Sequence, residues 1–224
     1  MGPDEPTNAL RLVIGNKNYS SWSMRPWLAM QELDIEFEEV QIPLRQPDSL
    51  ERKLAYSPAG KVPILIDGDL RVWDSLAIVE HLAERFPDKR LWPADTETRA
   101  VARSVSAEMH SGFTSLRARM PMNCRARRPE AGRGPGVPED IDRVREIWRE
   151  CRERHGASGG FLFGEFTAAD AMFAPVVSRF QTYGVELDGV EAEYAQAILA
   201  LPAVASWIQA SREEPWSIAK FDEA

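Results

Sequence analysis

The chain has 224 residues, 44% of them hydrophobic and 28% charged, a globular balance spread over about one and a half typical domain lengths. Its formal charge of −8, from 35 acidic and 27 basic residues, argues against nucleic-acid binding through a broad basic face, and no apolar run approaches the roughly 20 residues of a membrane-spanning helix. Two cysteines, Cys124 and Cys151, cannot build a disulfide framework, and with three histidines they give no metal-ligand spacing, so no metal site and a reducing, cytoplasmic compartment are expected.

From the amino end, Met1 to Asn8 holds two acids and two prolines and does not resemble a secretory leader. Leu10, Leu12 and Ile14 alternate with Arg11 and Val13 and stop at Gly15-Asn16, the pattern of a strand. Met24, Trp27, Leu28 and Leu33 form a helical stripe, and Ile35 to Ile42 is a β-rich segment ending at Pro43. Residues 44–60 read as irregular or weakly helical. Pro63-Ile64-Leu65-Ile66 and Leu70-Arg71-Val72-Trp73 flank Asp67-Gly68-Asp69, a hairpin signal because glycine supplies the positive φ of a tight turn. Ile78, Val79, Leu82, Ala83 and Phe86 then predict a helix stopped by Pro87. The order β-α-β, a loose stretch, then β-β-α mixes parallel and antiparallel pairing.

Residues 87–96 have linker chemistry, and beyond them no strand pattern appears. Val101, Val105, Met109, Phe113, Leu116 and Met120 predict one long helix stopped by Pro121, and Ile141, Val144, Trp148, Cys151 and His155 predict another. Thr167-Ala168-Ala169-Asp170 has the form of a capping box with Asp in place of Glu or Gln, opening a helix that contains Pro175. Pro202 can start a last helix carrying Val204, Trp207 and Ile208. The layout is α+β: a small α/β domain over residues 9–86, a linker over 87–96, and an all-α domain over 97–224.

Three local constellations carry chemistry. The first is Asn18-Tyr19-Ser20-Ser21-Trp22-Ser23-Met24-Arg25-Pro26. Its serines are candidate helix caps, and Pro26, tolerated in a first turn, predicts that the regular helix begins after Ser21 with Trp22 or Ser23 as cap. Ser20 and Ser21 then sit at the positive end of a helix, where an anion is favoured by about 0.3–1 kcal/mol and up to about 2 in a partly buried site. Lowering a thiol pKa by about two units from about 8.5 requires about 2.7 kcal/mol of thiolate stabilisation, within reach of a helix end plus one hydroxyl donor. The second is Gly60-Lys61-Val62-Pro63: proline opening an edge strand, or a cis Val62-Pro63 bond that frees the Val62 main chain to pair with an extended peptide. The third is Trp73-Asp74-Ser75-Leu76, where Asp74 or Ser75 caps a helix and the pair also suits the charged end of an α-amino acid.

Together these motifs resemble the glutathione-binding half of cytosolic glutathione transferases, and the chain from about residue 9 is similar to that family throughout. The resemblance implies a thioredoxin-like domain with cis Pro63, followed by the family's helical domain. It further implies glutathione held by Lys61, Val62 and Pro63, its γ-glutamyl end on Asp74 and Ser75, and a serine stabilising its thiolate. Ser20-Ser21-Trp22-Ser23-Met24-Arg25 is similar to the Ser-Ser-Cys-x-x-Arg motif of zeta-class members, which include maleylacetoacetate isomerase, with Trp22 at the cysteine position. Tau-class members also carry serine five positions before arginine, so Ser20 is the first choice, Ser21 the second and Ser23 the third, with Tyr19 a further competitor. No Cys-Pro-x-Cys occurs and no cysteine lies in the first domain, which argues against disulfide-exchange chemistry.

The expected reaction is attack of the glutathione thiolate on a small electrophile; the alternatives are glutathione-dependent cis-trans isomerisation and a non-catalytic binding or assembly module on the same fold. Met109, His110 and Phe113 are the candidate acceptor-substrate residues, and the family resemblance implies a homodimer. Between Arg117 and Arg133, six arginines face one acid, Glu130. This cluster reads either as a solvated loop or as an attractor of anionic substrates.

Overall fold

The computed structural model describes residues 9–156 and 159–223. Its first half is a four-stranded sheet of order β2-β1-β3-β4, from β1 (Leu10–Ile14), β2 (Phe37–Gln41), β3 (Ile64–Asp67) and β4 (Leu70–Val72). β1 pairs parallel with β2 and antiparallel with β3, so the mixed pairing expected of a thioredoxin-like domain is present. The hairpin closes through Asp67↔Leu70, and Gly68 takes a φ of +57°, the conformation that a tight turn demands. Alternation along the sheet sorts its two faces: Leu10, Leu12, Ile14 and Leu65 enter the main core, while Val13, Ile64 and Ile66 pack with Ile42 on the other side.

Helices α1 (Ser21–Glu32) and α3 (Ser75–Arg85) belong to this half, and α2 (Ser49–Leu54) is the short helix of the loose stretch. The cap of α1 is Ser20 rather than Trp22 or Ser23, and Pro26 lies inside the helix. The proline denies only the Trp22 carbonyl its usual donor, and burial of Met24, Trp27, Leu28, Ala29 and Met30 on the same helix offsets that loss.

After a 3₁₀ turn at Pro87–Lys89 the chain is helical: α4 (Thr96–Ser111), α5 (Thr114–Arg119), α6 (Val137–His155), α7 (Ala168–Tyr183), α8 (Gly189–Leu199), α9 (Pro202–Glu213) and α10 (Ala219–Asp222). The single long helix expected over Val101 to Met120 is two helices, because Gly112 ends α4 and Phe113 takes a left-handed φ of +58°. The capping box at α7 is formed: the Asp170 carboxylate accepts from the Thr167 N–H at 2.8 Å and from the Leu162 N–H at 3.0 Å. Pro202 is at the start of α9. The core runs without a break from the sheet through α1 into α7, which is buried along nearly its whole length. Among the described residues no helix is long and apolar enough to cross a membrane.

Candidate active site

The cleft between the two halves has a volume of about 570 Å³. Ser20, Ser21, Lys61, Val62, Pro63, Asp74 and Ser75 all line it, so residues dispersed over the first 75 positions converge on one surface. Ser23, His110, Met109 and Phe113 do not line it.

Ser20 sits at the amino end of α1. Its Oγ lies 2.8 Å from the Ser23 Oγ and 3.3 Å from the Ser23 N–H, while the Ser23 Oγ accepts from the Gly15 N–H at 3.1 Å. With Ser23 donating its own proton to Ser20, the Ser20 hydroxyl proton is free for a ligand in the cleft. The competitors are placed differently. The Ser21 Oγ accepts from Arg179 at 3.1 Å and keeps a proton to donate, but Ser21 is the first residue of α1 where Ser20 is its cap. The Tyr19 hydroxyl donates to the Asp222 carboxylate at 2.8 Å and accepts from Arg125 at 3.0 Å, so its proton is already engaged.

The Val62-Pro63 bond is cis, as is Trp73-Asp74, and Gly60 ahead of them takes a left-handed φ of +59° that other residues rarely adopt. Asp74 caps α3, with one carboxylate oxygen accepting from the Leu76 N–H at 3.0 Å. The other oxygen meets the His110 Nε2 at 3.0 Å. The Ser75 Oγ, fully buried, accepts from Arg25 at 3.5 Å, which leaves its own proton for a ligand.

On the side of the cleft belonging to the helical half, the three candidate acceptor-substrate residues stand back from the cavity's lining. The break at Gly112-Phe113 turns Phe113 into the core beside Met109, and His110 is directed to Asp74 and to the edge of the Trp22 ring, 5.2 Å away. The positions next to glutathione's expected site are instead taken by Trp22, Arg117, Pro121, Met122, Arg179 and Phe221. Arg179 could not be read from the sequence, because a single arginine in an otherwise apolar helix signals neither burial nor a ligand. The arginine-rich loop divides by role. Arg125 is tied to the Glu214 and Trp216 carbonyls at 2.9 Å, and Arg127 to Gln181 at 3.0 Å, whereas Arg117 lines the cleft.

Burial lowers the Arg179 pKa from 12.5 to about 9, with the charge of Arg117 adding to the effect. Arg25 is likewise held well below its ordinary value by burial, then by Arg117 and Arg179. Burial also lowers the His110 pKa from its ordinary 6.5, against the pull of Asp74 and with Arg25 and Arg117 adding to the depression. Burial thus favours the neutral imidazole, whose Nε2 faces the Asp74 carboxylate as a donor.

Residues 16–90 match the family model described as glutathione S-transferase, N-terminal domain, and residues 133–210 match the corresponding C-terminal domain. The chain belongs to the glutathione S-transferase family. It is 33% identical over 95 residues to glutathione S-transferase 1 of Dianthus caryophyllus, covering 42% of each chain. It is 37% identical over 97 residues to a probable maleylacetoacetate isomerase of Caenorhabditis elegans, covering 43% of this chain and 44% of that one. The match thus spans less than half the length of these curated relatives. In fold, the chain is similar to a glutathione transferase homolog from Burkholderia GL BGR1 solved with bound glutathione, at a TM-score of 0.70 and 24% identity over 92% of this chain and 100% of that one.

Proposed function

We propose that the protein is a glutathione transferase in which the Ser20 hydroxyl stabilises the thiolate of bound glutathione for attack on a small electrophile. The observation that carries this reading is the placement of the Ser20 hydroxyl, at the positive end of α1, in the same cleft as Val62, Asp74 and Ser75. Glutathione is an extended peptide with two carboxylates, one ammonium and a thiol. The Val62 main chain suits its backbone, Asp74 its ammonium, and the Ser75 hydroxyl a carboxylate, while Lys53 and Lys61 add positive charge along the cleft. Serine is too basic to remove the thiol proton, so its part is that of a donor to sulfur, and the protein forms no covalent bond itself.

The test is an ultraviolet titration of the bound thiolate. The unaltered protein is expected to hold the glutathione thiol about two units below its free pKa, and Ser20→Ala to return most of that shift. A depression that survives in Ser20→Ala moves the role to another group, and absence of glutathione binding removes the reading altogether. A second reading, glutathione-dependent cis-trans isomerisation, is favoured by the likeness to the worm protein, and a cis-trans assay on an enol diketo acid separates it from substitution chemistry. Assembly as a homodimer belongs to the same proposal, and sedimentation of the purified chain tests it.

A further inference from the structure

Three guanidinium groups meet at the cleft with no carboxylate in direct ion-pair contact, Asp74 and Asp140 acting on Arg25 and Arg117 only from a distance. Arg179 is 4% exposed and donates to the Met120 carbonyl at 2.9 Å, the Pro175 carbonyl at 3.3 Å and the Ser21 hydroxyl at 3.1 Å, all neutral acceptors. Arg117 donates to the Gly112 carbonyl at 2.9 Å and to the carbonyls of Met109 and His110. Arg25 is fully buried, and its Nε and Nη2 have no hydrogen-bond partner. Arg25 and Arg117 both lie over the Trp22 ring, at 4.3 Å and 4.8 Å from its centroid. Among the described residues no carboxylate forms an ion pair with any of the three.

Two buried carboxylates elsewhere are paired with cations. Glu191, 2% exposed, is paired with both Arg145 and Arg149, and Asp67 with His81 and Arg85. An ion removed from water without a partner is costly, and a site that retains several cations of one sign is complete only when an anion enters. Arg117 and Arg179 line the cleft itself, and Arg179 grips Ser21, the neighbour of Ser20.

We infer that the electrophile this protein takes carries a carboxylate, whose charge is met by Arg117 and Arg179 next to the glutathione sulfur, while Pro121, Met122 and Phe221 receive its apolar part. The inference rests on the glutathione reading above and adds the substrate class and two specificity-determining residues to it. A site built for a carboxylate rejects the isosteric amide, because its buried donors are then left without an anion.

The experiment measures calorimetric binding of three compounds to the intact protein: S-methylglutathione, and the glutathione conjugates of a dinitrophenyl ring bearing either a carboxylate or the isosteric carboxamide. The carboxylate conjugate is expected to bind at least about tenfold more tightly than the carboxamide. In Arg117→Met and in Arg179→Met that ratio is expected to fall to about threefold or less. Equal binding of the two conjugates by the unaltered protein overturns this inference alone, as does a preference that persists in the variants. Failure of S-methylglutathione to bind the unaltered protein overturns the glutathione reading and this inference with it. Arg117, half-buried on a short helix, gives the answer by itself should Arg179→Met not fold.

Discussion

A single hydroxyl at the start of a helix does little until its hydrogen bonds are counted. The Ser23 hydroxyl accepts from the Gly15 N–H, and when it donates to the Ser20 hydroxyl in turn, Ser20 keeps one donor unspent in the cleft. Asp74 shows the same economy. One of its oxygens closes the end of α3 and the other is steadied by His110 from the opposite domain, leaving its charge aimed at the cleft. Burial disfavours the charged imidazole, so the part of His110 is to orient that charge as a hydrogen-bond donor. His110→Leu is therefore expected to weaken glutathione binding by about three- to tenfold while leaving the bound thiol pKa unchanged. Equilibrium binding and the ultraviolet titration, run on the same variant, check both halves of that statement.

Elements differ in how openly the sequence announced them. The β3–β4 hairpin could be read because Asp67-Gly68-Asp69 has one low-energy way to turn, and α7 because Thr167 and Asp170 satisfy each other's backbone. The α4–α5 break could not: a stripe of apolar residues at helical spacing continues through it, and Phe113 accepts a left-handed backbone in exchange for burial in the core. The start of α1 was misplaced for a related reason, since packing outweighs the hydrogen bond that Pro26 lacks. The residues proposed to hold glutathione were legible as short local motifs. Its acceptor side was not, because Arg117 and Arg179 meet only through tertiary packing.

The same hairpin is joined to α3 by Asp67, which meets His81 at 2.9 Å and also pairs with Arg85. Burial alone would raise the Asp67 pKa, but His81 and Arg85 outweigh it and hold the group below its ordinary 3.8. A carboxylate whose folded pKa is depressed stabilises the fold above its unfolded pKa and loses that contribution as pH falls through the folded value. Urea midpoints measured from about pH 5 down to about pH 2 should therefore fall more steeply for the unaltered protein than for Asp67→Asn. Parallel acid limbs would rule the network out as a source of acid sensitivity.

At the scale of the molecule, the two halves share one hydrophobic core. The loop that leads into Ser20 is held by its own half through Lys17–Glu39 and Asn16–Leu44, and by the other half through a larger set of bonds. The Glu214 carboxylate accepts from the Lys17 N–H at 2.5 Å and the Asn18 N–H at 3.1 Å, and also from Gln41. Trp207 donates to the Lys17 carbonyl at 2.8 Å, and Asn123 accepts from the Asn18 side chain at 2.9 Å. Glu214→Ala leaves two buried backbone donors unmatched and is expected to cost about 2–4 kcal/mol of stability, read from the urea midpoint. The same variant should lose glutathione affinity, although Glu214 lies outside the cleft's lining.

That fastening imposes an order on biosynthesis. Every motif suited to glutathione is translated within the first 75 residues, yet Trp207 and Glu214 leave the ribosome more than a hundred residues later. Sheet pairing can begin early, because all four strands are already outside. The loop carrying Ser20 acquires its final shape only when α9 has emerged and docked, so a nascent chain passes most of its synthesis with the motifs complete and the cleft unset.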